Sequence, residues 1–389
     1  MMAGPDRVVI VGESVAGITA ARELRTRGYT GRLVVLGNDP HGSYARPALS
    51  KSVLKDLTVD ISAPVAYDDL DLNVVRRAAT HLDLAERKVS TEDGDAHPFD
   101  AAIIATGATP RRLAEPSQRG ELVLRTLDDA QALHRRLDEA TSTIVIGAGF
   151  LGMEVPSACA SKGVDVTVVD VVPPLRRLFG PFLSWHVARL ATAHGVRYVK
   201  ASGSVRLLGQ PVAGIILDGG ATLTADVVVS CVGDVPAAAW LGGTGIADQL
   251  GVPVDSRCAT PIPGVFAAGD VTYLRSGGYL PNPTTTVARR RPFWCNAVAQ
   301  GKVVAASVLG EPADTVPFDD YFWTELFGVH VKVAGPLLLD GDPGQVDGSI
   351  EDGDALLRWD HPDGRVTAVA FGRRIAVSRL RALASSTAD

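Results

Sequence analysis

Cysteine is scarce in this 389-residue chain, and what there is lies scattered: Cys159, Cys231, Cys258 and Cys295. No CxxC or other metal-ligand spacing is present, so neither a zinc site nor a paired redox motif is expected. Inert thiols in a reducing cytoplasm are the simplest reading. No apolar run approaches the ~18 residues that a membrane span needs. The opening Met-Met-Ala-Gly-Pro-Asp-Arg is polar and leads at once into an apolar run, so no signal peptide is expected. Excess positive charge is also missing. A net charge of −6 argues against general nucleic-acid affinity. Lysine is rare, seven of the 38 basic residues. What remains is 46% hydrophobic with forty glycines, a composition suited to two or three domains with large cores and many tight turns.

The glycines are not evenly spread. Arg7–Gly12 is a short apolar run of the kind that forms a buried parallel strand. Gly12-Glu-Ser-Val-Ala-Gly17 follows, then a helical pattern over 18–27 and a second apolar run, Arg32–Gly37. Strand, glycine turn, helix and strand make the unit that sets a pyrophosphate on a helix N-terminus. Ser14 stands where the middle glycine is usual, which weakens this match alone. A second unit repeats it. Thr143–Gly147 leads into Gly147-Ala-Gly149-Phe-Leu-Gly152, a helical pattern and Val164–Asp170. Gly17 to Gly28 and Gly152 to Gly163 are each eleven residues. Two units imply two dinucleotides, and the natural pair is a flavin and a nicotinamide. Asp170, at the second strand's end, is placed to accept hydrogen bonds from an adenine ribose and to repel a 2′-phosphate. Arg176 and Arg177 lie near enough in sequence to accept one. With a two-residue insertion at 29–31, the matching place in the first unit is Gly37, and Asp39, two residues on, becomes the candidate for the first ribose.

Residues 38–51 are rich in turn formers, with helix expected only from Ala48. Residues 56–98 read as small strands, and Asp100–Gly107 as a buried one. Thr126–Glu139 reads as a helix, with Thr126 as N-cap and Asp128 and Asp129 in its first turn. Ala225–Gly233 and Pro263–Asp270 are further apolar strands, the latter ending in an acid. Trp294–Leu309 reads as a helix. From about Glu311 aromatics gather (Phe318, Tyr321, Phe322, Trp323, Phe327) and a strand-like pattern runs to Val377, as in a separate C-terminal domain.

Several stretches together resemble a known family. Tyr44-Ala-Arg46-Pro-Ala-Leu-Ser50-Lys51, Leu124-Arg125-Thr126-Leu-Asp-Asp-Ala130, Thr260–Asp270, Trp294-Cys-Asn-Ala297 and Phe322-Trp323-Thr-Glu325 are similar to signatures of flavin-dependent ferredoxin reductases. These belong to the glutathione-reductase-like (pyridine nucleotide–disulfide oxidoreductase) superfamily, and the type resembled is the one-component reductase serving bacterial cytochrome P450 and oxygenase systems. The resemblance implies an α/β fold with two Rossmann-like dinucleotide-binding domains, one inserted in the other, plus a C-terminal α+β domain. The FAD-binding domain would be 1–112 with 236–310, the NAD(H)-binding domain 113–235, and the C-terminal domain 311–389.

It also implies a site. FAD would rest on Gly12, Ser14 and Gly17, with Arg46, Lys51, Ala79, Ala105, Arg125, Asp270 and Trp294 completing its place. NADH, in preference to NADPH, would use Gly147, Gly149, Gly152, Glu154 and Asp170. Lys51 paired with Glu154 would sit near the flavin N5 edge, stabilising negative charge there. Trp323 would lie between flavin and surface; core packing accounts for both tryptophans without a flavin. Three departures from the family pattern stand out: Glu13, an acid beside an expected phosphate; Pro156, early in a helix; and Pro292. The disulfide reductases and peroxidases of this superfamily carry cysteine just after the first unit, whereas residues 38–60 contain none. Electrons would therefore leave one at a time to an external carrier, or go to a diffusible acceptor. The expected reaction is NADH to FAD to a small iron–sulfur ferredoxin, which feeds an oxygenase. Alternatives are an NADH oxidase or quinone reductase, and a redox sensor resembling apoptosis-inducing factor. An acidic ferredoxin would dock on arginines, with Arg289, Arg291, Arg373 and Arg374 the candidates. A cytoplasmic monomer or weak dimer is expected, with no membrane or nucleic-acid partner.

Overall fold

The computed structural model describes residues 4–274, 290–313, 320–337 and 339–385. Phe318 and Arg289 lie outside the described residues. The chain forms two compact units, both discontinuous: Met1–Ala45, Asp60–Thr109 and Val235–Asp319 make the first, and Arg46–Val59, Pro110–Asp234 and Asp320–Asp389 the second.

The first unit is built on a parallel five-stranded sheet. Its order is Val265–Ala267, Ala101–Ile104, Arg7–Val11, Arg32–Gly37, Asn73–Arg76. Successive strand residues face opposite sides. Val8 and Ile10 accordingly pack with Leu24, Val303 and Val304, while Val9 and Val11 pack with Leu82, Val89 and Phe99. Both faces are covered, which is why these strands read as unbroken apolar runs. Helices Val15–Thr26 and Trp294–Val308 cover one face. They approach closely at Gly301, where an added Cβ would lie 2.8 Å from the Ala16 carbonyl oxygen. The expected small strands over 56–98 divide. Asn73–Arg76 joins the main sheet, and Ala79–Asp83, Lys88–Thr91 and Ala96–Pro98 form an antiparallel meander.

The second unit repeats the plan with four parallel strands, ordered Arg197–Lys200, Asp165–Asp170, Ser142–Ile146, Val227–Ser230. Helix Leu127–Glu139 starts as its sequence predicts: the Thr126 and Asp129 side chains each accept from the other's backbone N–H. Pro156 lies in the interior of helix Phe150–Ser161, past the first turn, so one helical hydrogen bond is lost there. The C-terminal stretch forms an antiparallel sheet ordered Tyr321–Leu326, Val329–Ala334, Val366–Phe371, Asp354–Asp360, Gln345–Ser349. It groups with this second unit. Phe322 packs on Phe150 and Phe179, at centroid distances of 5.2 and 5.9 Å. A helix, Val377–Ser385, begins where the strand pattern ends. Among the described residues no helix is long and apolar enough to cross a membrane.

The two sheets share one register. Val11 pairs with Leu36 in the first and Ile146 with Val169 in the second. Gly12 N–H donates to the Leu36 carbonyl at 2.7 Å, and Gly147 N–H to the Val169 carbonyl at 2.8 Å. Gly12 thus corresponds to Gly147, and Gly37 to Asp170.

Candidate dinucleotide sites

Each glycine turn needs its glycines for a measurable reason. Gly12 has φ +129°, and a Cβ there would stand 2.1 Å from the Ala105 carbonyl oxygen. One on Gly17 would stand 2.0 Å from the Gly12 carbonyl oxygen. In the second turn Gly147 has φ +101°, with a Cβ 2.3 Å from the Cys231 carbonyl oxygen, and a Cβ on Gly152 would meet the Gly147 carbonyl oxygen at 1.9 Å. Gly149 is different: among the described residues nothing lies within 4 Å of its missing Cβ. That open side is where a pyrophosphate would approach the backbone, so the turn fits a dinucleotide.

Several expected residues of the first unit converge. Ser14 is the N-cap of helix Val15–Thr26, and Ala105 is buried against Gly12. A Cβ on Gly269 would lie 3.0 Å from the Ala16 side chain, which brings the 269–270 motif to the start of the same helix. Gln300, buried, accepts from Gly269 N–H at 2.5 Å and from the Thr272 hydroxyl at 3.2 Å. The Arg290 guanidinium donates to the Asp270 carbonyl at 2.5 Å. Gln300 carries no local motif that marks it as part of this turn, whereas Arg290 matches an arginine of the resembled family. Trp294 opens its helix, and Ala79 stands in the meander. Asp39 closes its own loop, accepting from His41 N–H at 3.1 Å and the Tyr44 hydroxyl at 2.6 Å. Glu13 is buried; its Oε1 accepts from the Tyr67 hydroxyl and from Arg76 at 3.2 Å.

In the second unit the strand-end acid is fully engaged with backbone. Asp170 Oδ2 accepts from Ala148 N–H at 2.7 Å, and Oδ1 from Val171 and Val172 N–H at 2.6 and 3.2 Å. The carboxylate stitches the strand end to the glycine turn. Arg177, largely exposed, has its guanidinium 3.9 Å from Oδ1.

Lys51 and Glu154 meet: Nζ lies 2.8 Å from Oε2, with the side chains 15% and 5% exposed. Lys51 also donates to the Pro47 carbonyl at 3.0 Å. Two hydroxyls complete the shell of Glu154. Ser50 donates to Oε2, and Thr324 to Oε1 at 2.6 Å. Ser50 and Lys51 lie in a helical segment that begins close to Ala48, as expected, with a 3₁₀ turn, Arg46–Ala48, and a π-helical turn, Leu49–Val53. Arg46 donates to the Arg125 carbonyl at 2.6 Å, so these two expected contacts are neighbours. Burial pushes the Cys159 thiol up to about 12 and that of Cys258 higher still, which disfavours the reactive thiolate. Of the expected docking arginines, Arg373 is bound to Asp354 at 2.8 Å and to Asp347, while Arg374 is exposed.

Residues 6–301 match the family model described as pyridine nucleotide-disulphide oxidoreductase. The chain is 34% identical over 377 residues to the ferredoxin reductase component of chlorobenzene dioxygenase from Cupriavidus sp. (strain PS12), covering 93% of this chain and 88% of that one. It is 30% identical to rubredoxin-NAD(+) reductase from Pseudomonas putida, with 85% and 86% covered. Among solved structures, a ferredoxin reductase for the CYP199A2 system from Rhodopseudomonas palustris superposes with TM-score 0.83 at 28% identity, covering 95% of this chain and 91% of that one. The reductase in a covalent putidaredoxin reductase–putidaredoxin complex gives 0.79 at 25%, with 94% and 89% covered.

Proposed function

Because the chain belongs to the pyridine nucleotide-disulphide oxidoreductase family, we propose that it is an NADH-dependent flavoprotein reductase that delivers electrons to a ferredoxin-type iron–sulfur protein serving an oxygenase. One observation carries this reading: two glycine turns of identical register in a chain with no cysteine between residues 38 and 60. Bound FAD and NADH supply the hydride and single-electron chemistry. The chain's own residues hold and orient them. Gly12, Ser14, Gly17, Ala105 and Asp270 are the proposed FAD contacts of the first unit, with Ala79 and Trp294 beside them. Gly147, Gly149, Gly152 and Asp170 are proposed to hold NADH, with Asp170 taking the ribose hydroxyls. Lys51, fixed by Glu154, offers a held cation of the kind that stabilises a reduced flavin, and Arg46 and Arg125 complete the proposed set. The FAD-binding part is then 1–112 with 236–310, the NADH-binding part 113–235 and the C-terminal part 311–389. The relatives' pairing with ferredoxin or rubredoxin supports the choice of partner.

Purified protein should release about one FAD per chain on acid precipitation and be bleached by NADH. It should reduce cytochrome c only when a ferredoxin is added, and kcat/KM should favour NADH over NADPH. Colourless protein that takes up no FAD, or equal turnover without any iron–sulfur carrier, would refute the proposal.

A further inference from the structure

The two units handle one position in opposite ways. In the second, the strand end is an acid, Asp170, and the second residue of the turn is small, Ala148; the acid's Oδ2 bonds the Ala148 N–H. In the first, the strand end is Gly37 and the second residue of the turn is the acid, Glu13. The carboxylate fills the space that a side chain at 37 would take. A Cβ built on Gly37 would stand 2.5 Å from Glu13 Oε2 and 2.7 Å from its Cβ. Glu13 is 5% exposed, and its Oε1 is occupied by Tyr67 and Arg76. Among the described residues, Oε2 is buried and has no hydrogen-bond partner. An acceptor kept dry and unpaired at a binding turn is a costly arrangement unless a ligand donates to it.

We propose that Glu13 supplies the ribose-binding carboxylate of the first unit, delivered from the glycine turn in place of the strand end. The ligand group is the diol of the adenosine ribose, which needs an acceptor-only partner of this kind. Asp39, the acid nearest the strand end in sequence, serves its own loop through His41 and Tyr44. The assignment rests on the proposal that the first unit binds FAD.

Binding to flavin-stripped full-length protein tests it, read by flavin fluorescence with FAD, FMN and FAD bearing 2′-deoxyadenosine. The unaltered chain should bind FAD more tightly than its deoxy analogue. Glu13→Ala copies the second unit's alanine and so should fold; it should weaken FAD about tenfold or more, leave FMN unchanged and erase the preference for the ribose. Adding Gly37→Asp to that variant rebuilds the arrangement of Ala148 and Asp170 and should recover most of the loss. Asp39→Asn should keep the preference. The assignment is overturned if Glu13→Ala binds FAD normally, if FAD and FMN suffer equally, if Asp39→Asn abolishes the preference, or if the unaltered chain does not distinguish FAD from its deoxy analogue. A chain that binds FMN and FAD alike poorly refutes the flavin reading itself, and this assignment with it.

Discussion

Glu154 is a carboxylate on the buried side of a helix, held by one cation and two hydroxyls. Removing any one of the three leaves charge or lone pairs in a place water does not reach. Lys51→Met should be the severest, because it strands a buried charge; loss of one partner of such a pair costs about 3–5 kcal/mol. Thr324→Val leaves the ion pair and removes one donor to Oε1, so about 1–3 kcal/mol is expected. Thermal unfolding of the flavin-loaded protein should rank them in that order, and both should slow flavin reduction by NADH. Equal melting temperatures for the two variants would mean that the ion pair is not buried in solution. The sequence made Lys51 and Glu154 legible only by resemblance. Ser50 and Thr324 went unseen because their bonds to Glu154 span 104 and 170 residues, and no local period encodes such a contact. Glu13 was visible as a departure, but its consequence needed Gly37 beside it in space.

Elements were legible where one physical rule dominated. Strands covered on both faces must be apolar throughout, so Arg7–Val11, Ser142–Ile146 and Val227–Ser230 stand out as runs. Thr126 announces its helix because an N-cap needs that chemistry. In the segment 46–53 helix is legible from about Ala48, but its 3₁₀ and π character is not, since such turns have no 3.6-residue period to read. Nor is Val377–Ser385, a nine-residue helix that buries only Leu380. Strand ends can also be fastened by side chains. Asp226, just before strand Val227–Ser230, accepts from the backbone N–H and the hydroxyl of both Thr141 and Ser142, at 2.8–3.0 Å. Those bonds, the Thr141 hydroxyl first, hold its carboxyl down at about 2. The unfolded chain's value is about 3.9, so the folded state binds the proton less readily. Its stabilising contribution is complete above about pH 4 and disappears as pH falls through about 2. Asp226→Asn should therefore lower the melting temperature at pH 7, and the gap from the unaltered protein should close between about pH 4 and 2. A gap that stays constant down to pH 2 would show that the carboxylate's charge is not what fastens the strands.

At the scale of the whole molecule, nesting was legible only through resemblance, because periodicity marks elements and not which of them share a core. Charge at this scale frames the last prediction. A net −6 chain repels an acidic carrier at long range, so docking on it requires a local basic face. Arg373 does not provide one, being committed to Asp347 and Asp354. Exposed Arg374 and Arg379, and Arg381 lying over the Tyr321 ring at 5.3 Å, leave the C-terminal helix and the turn before it richer in positive charge. Arg291, just ahead of Trp294, is the other proposed docking position. Encounter steered by such charges is screened over ~8 Å at physiological ionic strength. Ferredoxin-dependent cytochrome c reduction should thus weaken as salt rises, while NADH reduction of the flavin changes little. Arg374→Glu and Arg291→Glu should each raise the KM for ferredoxin several-fold and spare the NADH half-reaction. Arg373→Glu should instead lower the melting temperature, since it sets three carboxylates together where one guanidinium now holds two. If Arg374→Glu and Arg291→Glu both leave the ferredoxin KM and its salt dependence unaltered, the iron–sulfur protein docks on another face.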